Sequence, residues 1–209
     1  MKKYFIIAGE PSGDLHGGKL IKALKDLNPN SSFMGHGGDS MSNEGMHIIE
    51  HVDNLAIMGF AEVVRHLPRM NKIMSQTIRT IERSKPDRII LIDYPGFNLR
   101  LAKKVFPLKI PITYFVLPQA WAWKQGRIKL LKRFIDQSIS IFPFENDWYK
   151  KRGLKIEYFG HPFVDIEHFD ETTKSFYKRH SLDINKPILT LLPGSRQQEI
   201  DRHWPVYLE

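Results

Sequence analysis

The sequence predicts an α/β fold built on a doubly wound, Rossmann-like parallel sheet. Three observations carry this. Short runs almost continuous in Ile, Leu and Phe recur along the chain, each ends in Gly, Pro or an acidic residue, and each is followed by a segment of helical spacing. Strands of that kind are buried on both faces, and the crossover that parallel neighbours require supplies the helix.

The first strand is expected at Lys3–Ala8, where Gly9-Glu10 ends the apolar run. Two lysines ahead of that run resemble the start of a signal peptide, but the run is too short for one. Further strands are expected at Ser32–Met34, Arg88–Ile92, Ile112–Val116, Ser138–Phe142 and Ile156–Phe159. Between Gly59 and Arg83, Phe60, Val63, Val64, Leu67, Met70, Met74, Thr77, Ile78 and Ile81 recur at three- and four-residue steps. That spacing describes one buried helix face. After Pro162 the pattern weakens through Glu171–Lys174 and Ser181–Lys186. Ile188–Leu192 is then expected to open a second sheet, with Pro193-Gly194-Ser195-Arg196 as its first turn. The expected organisation is a first domain over 1–165, a connection over 166–186 and the start of an incomplete second domain over 187–209.

Composition narrows the classes. An apolar fraction of 42% with 26% charged residues is that of an ordinary globular chain. The absence of cysteine excludes disulfides and thiolate metal or redox sites. No apolar stretch approaches the roughly 20 residues of a membrane-spanning helix, which leaves peripheral contact. The net charge of +8 is concentrated: between Asp93 and Asp136 stand nine Lys or Arg and no Asp or Glu. Nucleic acid, anionic headgroups and phosphorylated substrates are all attracted by such a stretch, and a merely solvated helix face has the same composition.

In open parallel sheets the ligand crevice lies beyond the carboxyl ends of the strands, so the loops there hold the candidate site. Gly9-Glu10-Pro11-Ser12-Gly13-Asp14 joins the first strand to a helix whose amino terminus presents free N–H groups to an anion. Gly13, Gly18 and Lys19 have P-loop spacing, but Leu20 replaces the Ser or Thr that would hold magnesium. Gly9, Gly13 and Gly17 miss the dinucleotide spacing. A capping role for Asp14 is the structural alternative. Asp93, at the end of Arg88–Ile92, faces the crevice as a candidate general base, or caps a turn. Gln119, Trp121, Trp123, Lys124 and Arg127 interleave aromatic and cationic groups, a pattern for sugar rings, bases or acyl chains beside a phosphate, or for packing. Glu145 and His161 follow two later strands, and Ser195 with Arg196 offers a hydroxyl and a guanidinium to a diphosphate. His16, His36 and His161 lack metal-ligand spacing, so no metal is expected.

Taken in order, Ala8–Asp14, Met58-Gly59, Glu62-Val63, Asp93 with Phe97-Asn98, Trp121-Ala122-Trp123, Pro143-Phe144-Glu145, Gly160-His161-Pro162 and Leu192–Arg196 closely resemble the lipid-A-disaccharide synthase family, glycosyltransferases of GT-B type. The resemblance implies transfer of 2,3-diacylglucosamine from its UDP derivative to 2,3-diacylglucosamine 1-phosphate, giving the β-1,6 disaccharide 1-phosphate and UDP, with no cofactor. It implies Asp93 as the base, Glu10 as a second acidic residue and Arg196 at the departing diphosphate. Ser12, Gly13, Asp14, Asn98, Gln119, Trp121, Trp123, Arg127, Glu145, His161 and Ser195 are expected to bind substrate. It also implies a cytoplasmic enzyme, peripheral at the inner face of the bacterial inner membrane, contacting anionic lipid but no nucleic acid, with a homodimer open for the full-length enzyme. Gly96 stands where family members often carry a second aspartate. The family's second domain supplies most uridine contacts, so these residues alone are expected to fold and bind acceptor without turnover. Two alternatives stay open: a non-catalytic fragment that binds acyl-sugar phosphate or membrane, and a different GT-B enzyme acting on UDP-N-acetylglucosamine.

Overall fold

The computed structural model describes residues 1–55, 60–164, 171–194 and 197–209. They belong to two compact units, Met1–Asp165 and Ile166–Glu209. In chain order the first contains β1 (Lys3–Ala8), α1 (Pro11–Leu27), β2 (Ser32–Gly37), α2 (Asp39–Asn43), β3 (His47–His51), α3 (Val52–Leu55), α4 (Phe60–Ser84), β4 (Arg88–Ile92), α5 (Pro95–Val105), a 3-10 turn (Phe106–Leu108), β5 (Ile112–Phe115), α6 (Arg127–Phe134), β6 (Gln137–Ser140), α7 (Pro143–Lys150) and β7 (Glu157–Tyr158).

The strands form one parallel sheet in the order β3-β2-β1-β4-β5-β6-β7. Alternate side chains of the central strands feed two cores. Phe5, Ile7, Ile89 and Leu91 meet Ile73, Met74 and Ile81 of α4 and Leu101, Ala102 and Val105 of α5 on one face. On the other, Ile6, Ala8, Ile90 and Ile92 meet Ile21 of α1 and Met41 of α2. Phe5 to Ala8 are all fully buried, and each large side chain among them contributes roughly 1.5–3 kcal/mol. The strand order reverses between β1 and β4, which divides the crossovers between the two faces and opens a crevice there.

Several boundaries differ from the sequence reading. The helix expected over Gly59–Arg83 is α4, which is described from Phe60. His47–His51 pairs at the sheet edge, where one ladder and half-buried side chains suffice. Its two histidines and glutamate hide it from an apolar search. β5 stops at Phe115 because Val116 turns into the left-handed region (φ 61°), which a β-branched residue rarely adopts. β6 spans Gln137–Ser140 and β7 only Glu157–Tyr158.

In the second unit, α8 (Thr173–Arg179) is capped by the Thr172 hydroxyl, which accepts from the Ser175 N–H at 3.2 Å. It is followed by α9 (Gln197–Leu208). The strand expected at Ile188–Leu192 is not formed. Those residues carry no ladder, and Leu189 and Leu192 are more than four-fifths exposed. An apolar run becomes a strand only beside another strand, and none is present among the described residues of this unit.

Candidate active site

Parallel register brings the ends of β1 and β4 together, with Ala8 opposite Ile92 and Ile92 opposite Phe115. Gly9-Glu10 and Asp93-Tyr94 are therefore neighbouring loops at the point where the strand order reverses. Gly9 is required there, because a Cβ would lie 2.3 Å from the Tyr94 ring. Glu10 has extended backbone ahead of α1 and its side chain does not cap that helix. Its charge, after burial, helps push the Tyr94 phenol up to about 12.

The Asp93 turn is strained. Asp93 and Tyr94 both occupy the left-handed region, at φ 43° and 48°. Such conformations cost on the order of 1–3 kcal/mol each and persist only where surrounding contacts impose them. Here the Asp93 carbonyl accepts from the Tyr114 hydroxyl at 2.6 Å and from Asn98 Nδ2 at 2.8 Å, while the Asp93 N–H donates to the Phe115 carbonyl at 3.0 Å. Asn98 is fully buried and its amide also reaches the Ile92 carbonyl at 3.3 Å. Its amide thus holds backbone, and the Asp93 side chain is half-buried. Tyr114 stays a hydroxyl: burial first, then the Asp93 charge, pushes its pKa well up. Val116 and Lys124 add two more left-handed residues on the same edge of the sheet.

Asp14 is nine-tenths buried or more and accepts from the backbone N–H groups of Gly38 (2.6 Å), Ser40 (2.9 Å) and Met41 (3.1 Å). It caps α2, a neighbour in space, and not its own helix. The glycines of α1 serve packing. Gly13 lies over Ala8, with 3.2 Å to a built Cβ, and a Cβ on Gly17 would lie 2.5 Å from the Met41 sulfur. That explains a glycine-rich segment with neither nucleotide spacing. Ser12 is exposed in the first turn of α1.

The β5–α6 loop forms the second rim. The Gln119 carbonyl accepts from the N–H groups of Ala122 and Trp123 at 3.1 and 3.3 Å, so the tryptophans lie in a turn and not on a strand, and the Gln119 side chain is exposed. Trp121 donates its indole N–H to Glu145 Oε1 at 3.0 Å and packs edge-on to Phe144. Trp123 is half exposed, with Lys124 Nζ and Arg127 Cζ at 4.5 and 4.8 Å from its ring. Arg127 begins α6, where the helix dipole disfavours a cation, a cost that an anion in the crevice would offset. Glu145 is 1% exposed, its second oxygen has no partner, and burial pushes its pKa up.

At β7, Gly160 (φ 102°) turns the chain and His161 Nδ1 accepts from the Phe163 N–H at 3.2 Å. Phe163 also meets His16, a buried residue of α1 whose pKa is lowered by burial and then by His161. His16, Tyr94 and Tyr114 belong to this edge, and single-sequence patterns did not single them out as site residues, because their roles depend on contacts between loops. Ser195 and Arg196 lie outside the described residues, as do Met58-Gly59. Among the described residues no three His, Asp or Glu side chains gather as metal ligands, and no helix is long and apolar enough to cross a membrane.

Comparison with known proteins places this geometry. The family model described as lipid-A-disaccharide synthetase matches residues 4–209. Lipid-A-disaccharide synthases of Koribacter versatilis, at 40% identity, and Coxiella burnetii, at 38%, align with 100% of this chain and 55% of their own length. The chain thus spans about half the length of the curated relatives it matches. Among solved structures, a Staphylococcus aureus MnaA–UDP co-structure superimposes with a TM-score of 0.62 at 14% identity, over 87% of this chain and 52% of that one. The Neisseria meningitidis UDP-GlcNAc 2-epimerase bound to UDP-GlcNAc gives 0.56 at 13% identity, over 79% of this chain and 47% of its own. At such identities the likeness shows the GT-B type of α/β fold alone. The family match over nearly the whole chain decides more, and this chain belongs to the lipid-A-disaccharide synthase family.

Proposed function

We propose that these residues form the acceptor side of a hexosyltransferase of lipid A biosynthesis. The full-length enzyme transfers 2,3-diacylglucosamine from UDP-2,3-diacylglucosamine to 2,3-diacylglucosamine 1-phosphate, releasing UDP. The observation that carries the reading is the family match joined to the placement of Glu10 and Asp93 on adjacent loops at the strand-order switch.

Asp93 takes the proton of the acceptor hydroxyl as its oxygen attacks the anomeric carbon. The bond to the diphosphate breaks on the opposite face, so configuration inverts. The bonds to its carbonyl hold the Asp93 backbone before substrate arrives, which removes reorganisation from the chemical step. Glu10 is the second acidic group at the reacting sugar. Arg127 and the amino ends of α1, α5 and α7 offer positive potential to the acceptor phosphate, and Ser195 with Arg196 meets the donor diphosphate. Trp121, Trp123, Gln119, His161 and Ser12 contact sugar and acyl groups. The basic segment after Asp93 suits an anionic membrane surface, which supports a peripheral enzyme at the cytoplasmic face of the inner membrane.

The test is direct. The full-length enzyme, given both acylated sugars, is expected to form the disaccharide 1-phosphate and UDP in equal amounts. Conversion of UDP-N-acetylglucosamine with no disaccharide would replace this reading by an epimerase.

A further inference from the structure

We propose that His16 is a positioning residue: through Phe163 it holds the His161 ring with its Nε2–H free for a sugar oxygen of the acceptor, and acid releases that hold. The inference rests on the reading of His161 as a sugar contact and adds the device that orients it. His161 to Val164 form a tight turn beyond β7, closed by the Val164 N–H donating to the His161 carbonyl at 3.0 Å. Gly160 starts it at φ 102°, a conformation that other residues rarely adopt. Inside the turn His161 Nδ1 accepts from the Phe163 N–H at 3.2 Å, so the single proton of the neutral imidazole stands on Nε2. That N–H is what His161 has left to give.

The Phe163 ring touches two imidazoles. Its centroid is 5.3 Å from that of His16 on α1 and 5.2 Å from that of His161, which also packs on Phe142 at 5.5 Å. His16 in turn meets Phe115 at the end of β5 at 6.2 Å, so a chain of rings ties the turn to the sheet. Displacing His16 unseats Phe163, and with it the N–H that fixes the His161 tautomer.

The hold depends on a neutral His16. Its ring is 8% exposed and Nδ1 has no partner. A bare acceptor nitrogen is the lesser penalty there, because in the imidazolium Nδ1 becomes a buried, charged N–H without an acceptor. The charged groups nearby give no relief. Lys19, one helical turn later on α1, and His161 both disfavour a second cation. Asp14 is committed to the N–H groups of Gly38, Ser40 and Met41, Asp39 of α2 lies 3.6 Å from His51, and Glu10 and Asp93 act on Tyr94 and Tyr114. Phe115 and Phe163 bring no charge. Burial, then His161 and Lys19, accordingly lowers the His16 pKa from 6.5. The held form binds the proton less tightly than the released one, so the hold is present above pH 6.5 and is lost as pH falls through 6.5 toward the lowered value.

Two measurements test it. In the 209-residue chain the His16 ring is titrated by NMR from about pH 8 to about pH 5. Its midpoint is expected below 6.5, and Phe163→Ala is expected to move it up toward 6.5. The same midpoint in both proteins overturns the proposal. In the full-length enzyme, the acceptor KM of the parent is expected to rise about fivefold more than that of His16→Phe as pH falls from about 7.5 to about 5.5, with kcat changing alike in the two. The acceptor phosphate titrates equally in both, so the ratio isolates His16. If His16→Phe fails to fold, Phe163→Ala, at a half-exposed position, takes its place: its KM is expected to be about fivefold high already at about pH 7.5 and to lack the extra acid rise. Equal KM profiles overturn the positioning role and leave the transferase reading intact. A His16 midpoint that Phe163→Ala shifts, with no disaccharide formed by the full-length enzyme, keeps the hold and rejects the acceptor reading.

Discussion

The two rims of the crevice use the same residue type in opposite ways. At the β1/β4 rim, Glu10 and Asp93 remain partly accessible, and buried neighbours hold the backbone around Asp93. At the β5/β6 rim, Glu145 is itself buried and takes the Trp121 indole N–H, while Trp123 is left outside. Burial raises the Glu145 pKa and favours its neutral form. Under the function proposed above, the first rim transfers the proton and the second presents aromatic surface.

That contrast fails most visibly in activity. In the full-length enzyme, Asp93→Asn is expected to lower kcat by about 10²–10⁴-fold while leaving the fold intact. Glu145→Gln, which retains an oxygen for the Trp121 indole, is expected to cost far less. Equal losses in steady-state assays of the two variants would erase the distinction between the rims.

The next largest effect lies beneath the first rim. His36 is 1% exposed and packs against Phe97 and Phe5. Thr77 gives its one hydroxyl proton to the Ile73 carbonyl at 2.7 Å, so it accepts from His36 Nε2–H at 2.9 Å. Burial lowers the His36 pKa from 6.5 to about 4. The unfolded chain therefore binds the proton first, and stability falls as pH drops from 6.5 toward 4, by about 3 kcal/mol for this group. Denaturant titrations at several pH values should show His36→Phe losing that part of the acid dependence. An identical pH slope in both proteins would mean that His36 is protonated in the fold.

Asn98 follows in size. Asn98→Ala leaves the Ile92 carbonyl without its side-chain donor and removes one of two donors to Asp93, at a cost of about 2 kcal/mol. Urea unfolding reads it. A loss below about half that value would mean that water replaces the amide and the turn is less sealed than its burial implies.

How much of this was legible beforehand follows from the range of each interaction. β1 and β4 are central, buried on both faces and continuous in apolar residues, and both have the expected limits. β3 is an edge strand whose polar residues do not mark it, and Ile188–Leu192 is an apolar run without a neighbour. The loops at the carboxyl edge could be read from parallel topology alone, which is why Glu10, Asp93, Trp121 and Glu145 were in view. What each does was not, because the deciding partners lie 21 to 27 residues away: Tyr114 for Asp93, Trp121 for Glu145, and Gly38, Ser40 and Met41 for Asp14.

The smallest effect gives the finest comparison, because both rims have a buried tyrosine bonded to a loop carbonyl. Tyr114 donates to Asp93 and Tyr149 to Pro118. Removing either hydroxyl leaves its carbonyl with another donor, Asn98 Nδ2 at 2.8 Å in the first case and the Ala120 N–H at 2.6 Å in the second. Each Phe variant should then lose only about 1 kcal/mol of stability. Their kinetics should separate. Tyr114→Phe loosens the turn that carries the proposed base, so kcat should fall with KM nearly unchanged. Tyr149→Phe loosens the loop that carries the tryptophans, so KM for the acceptor should rise with kcat nearly unchanged. If both variants shift the same constant, the two rims act as one unit. The division between proton transfer and substrate presentation would then have to be given up, even if Asp93 remains the base.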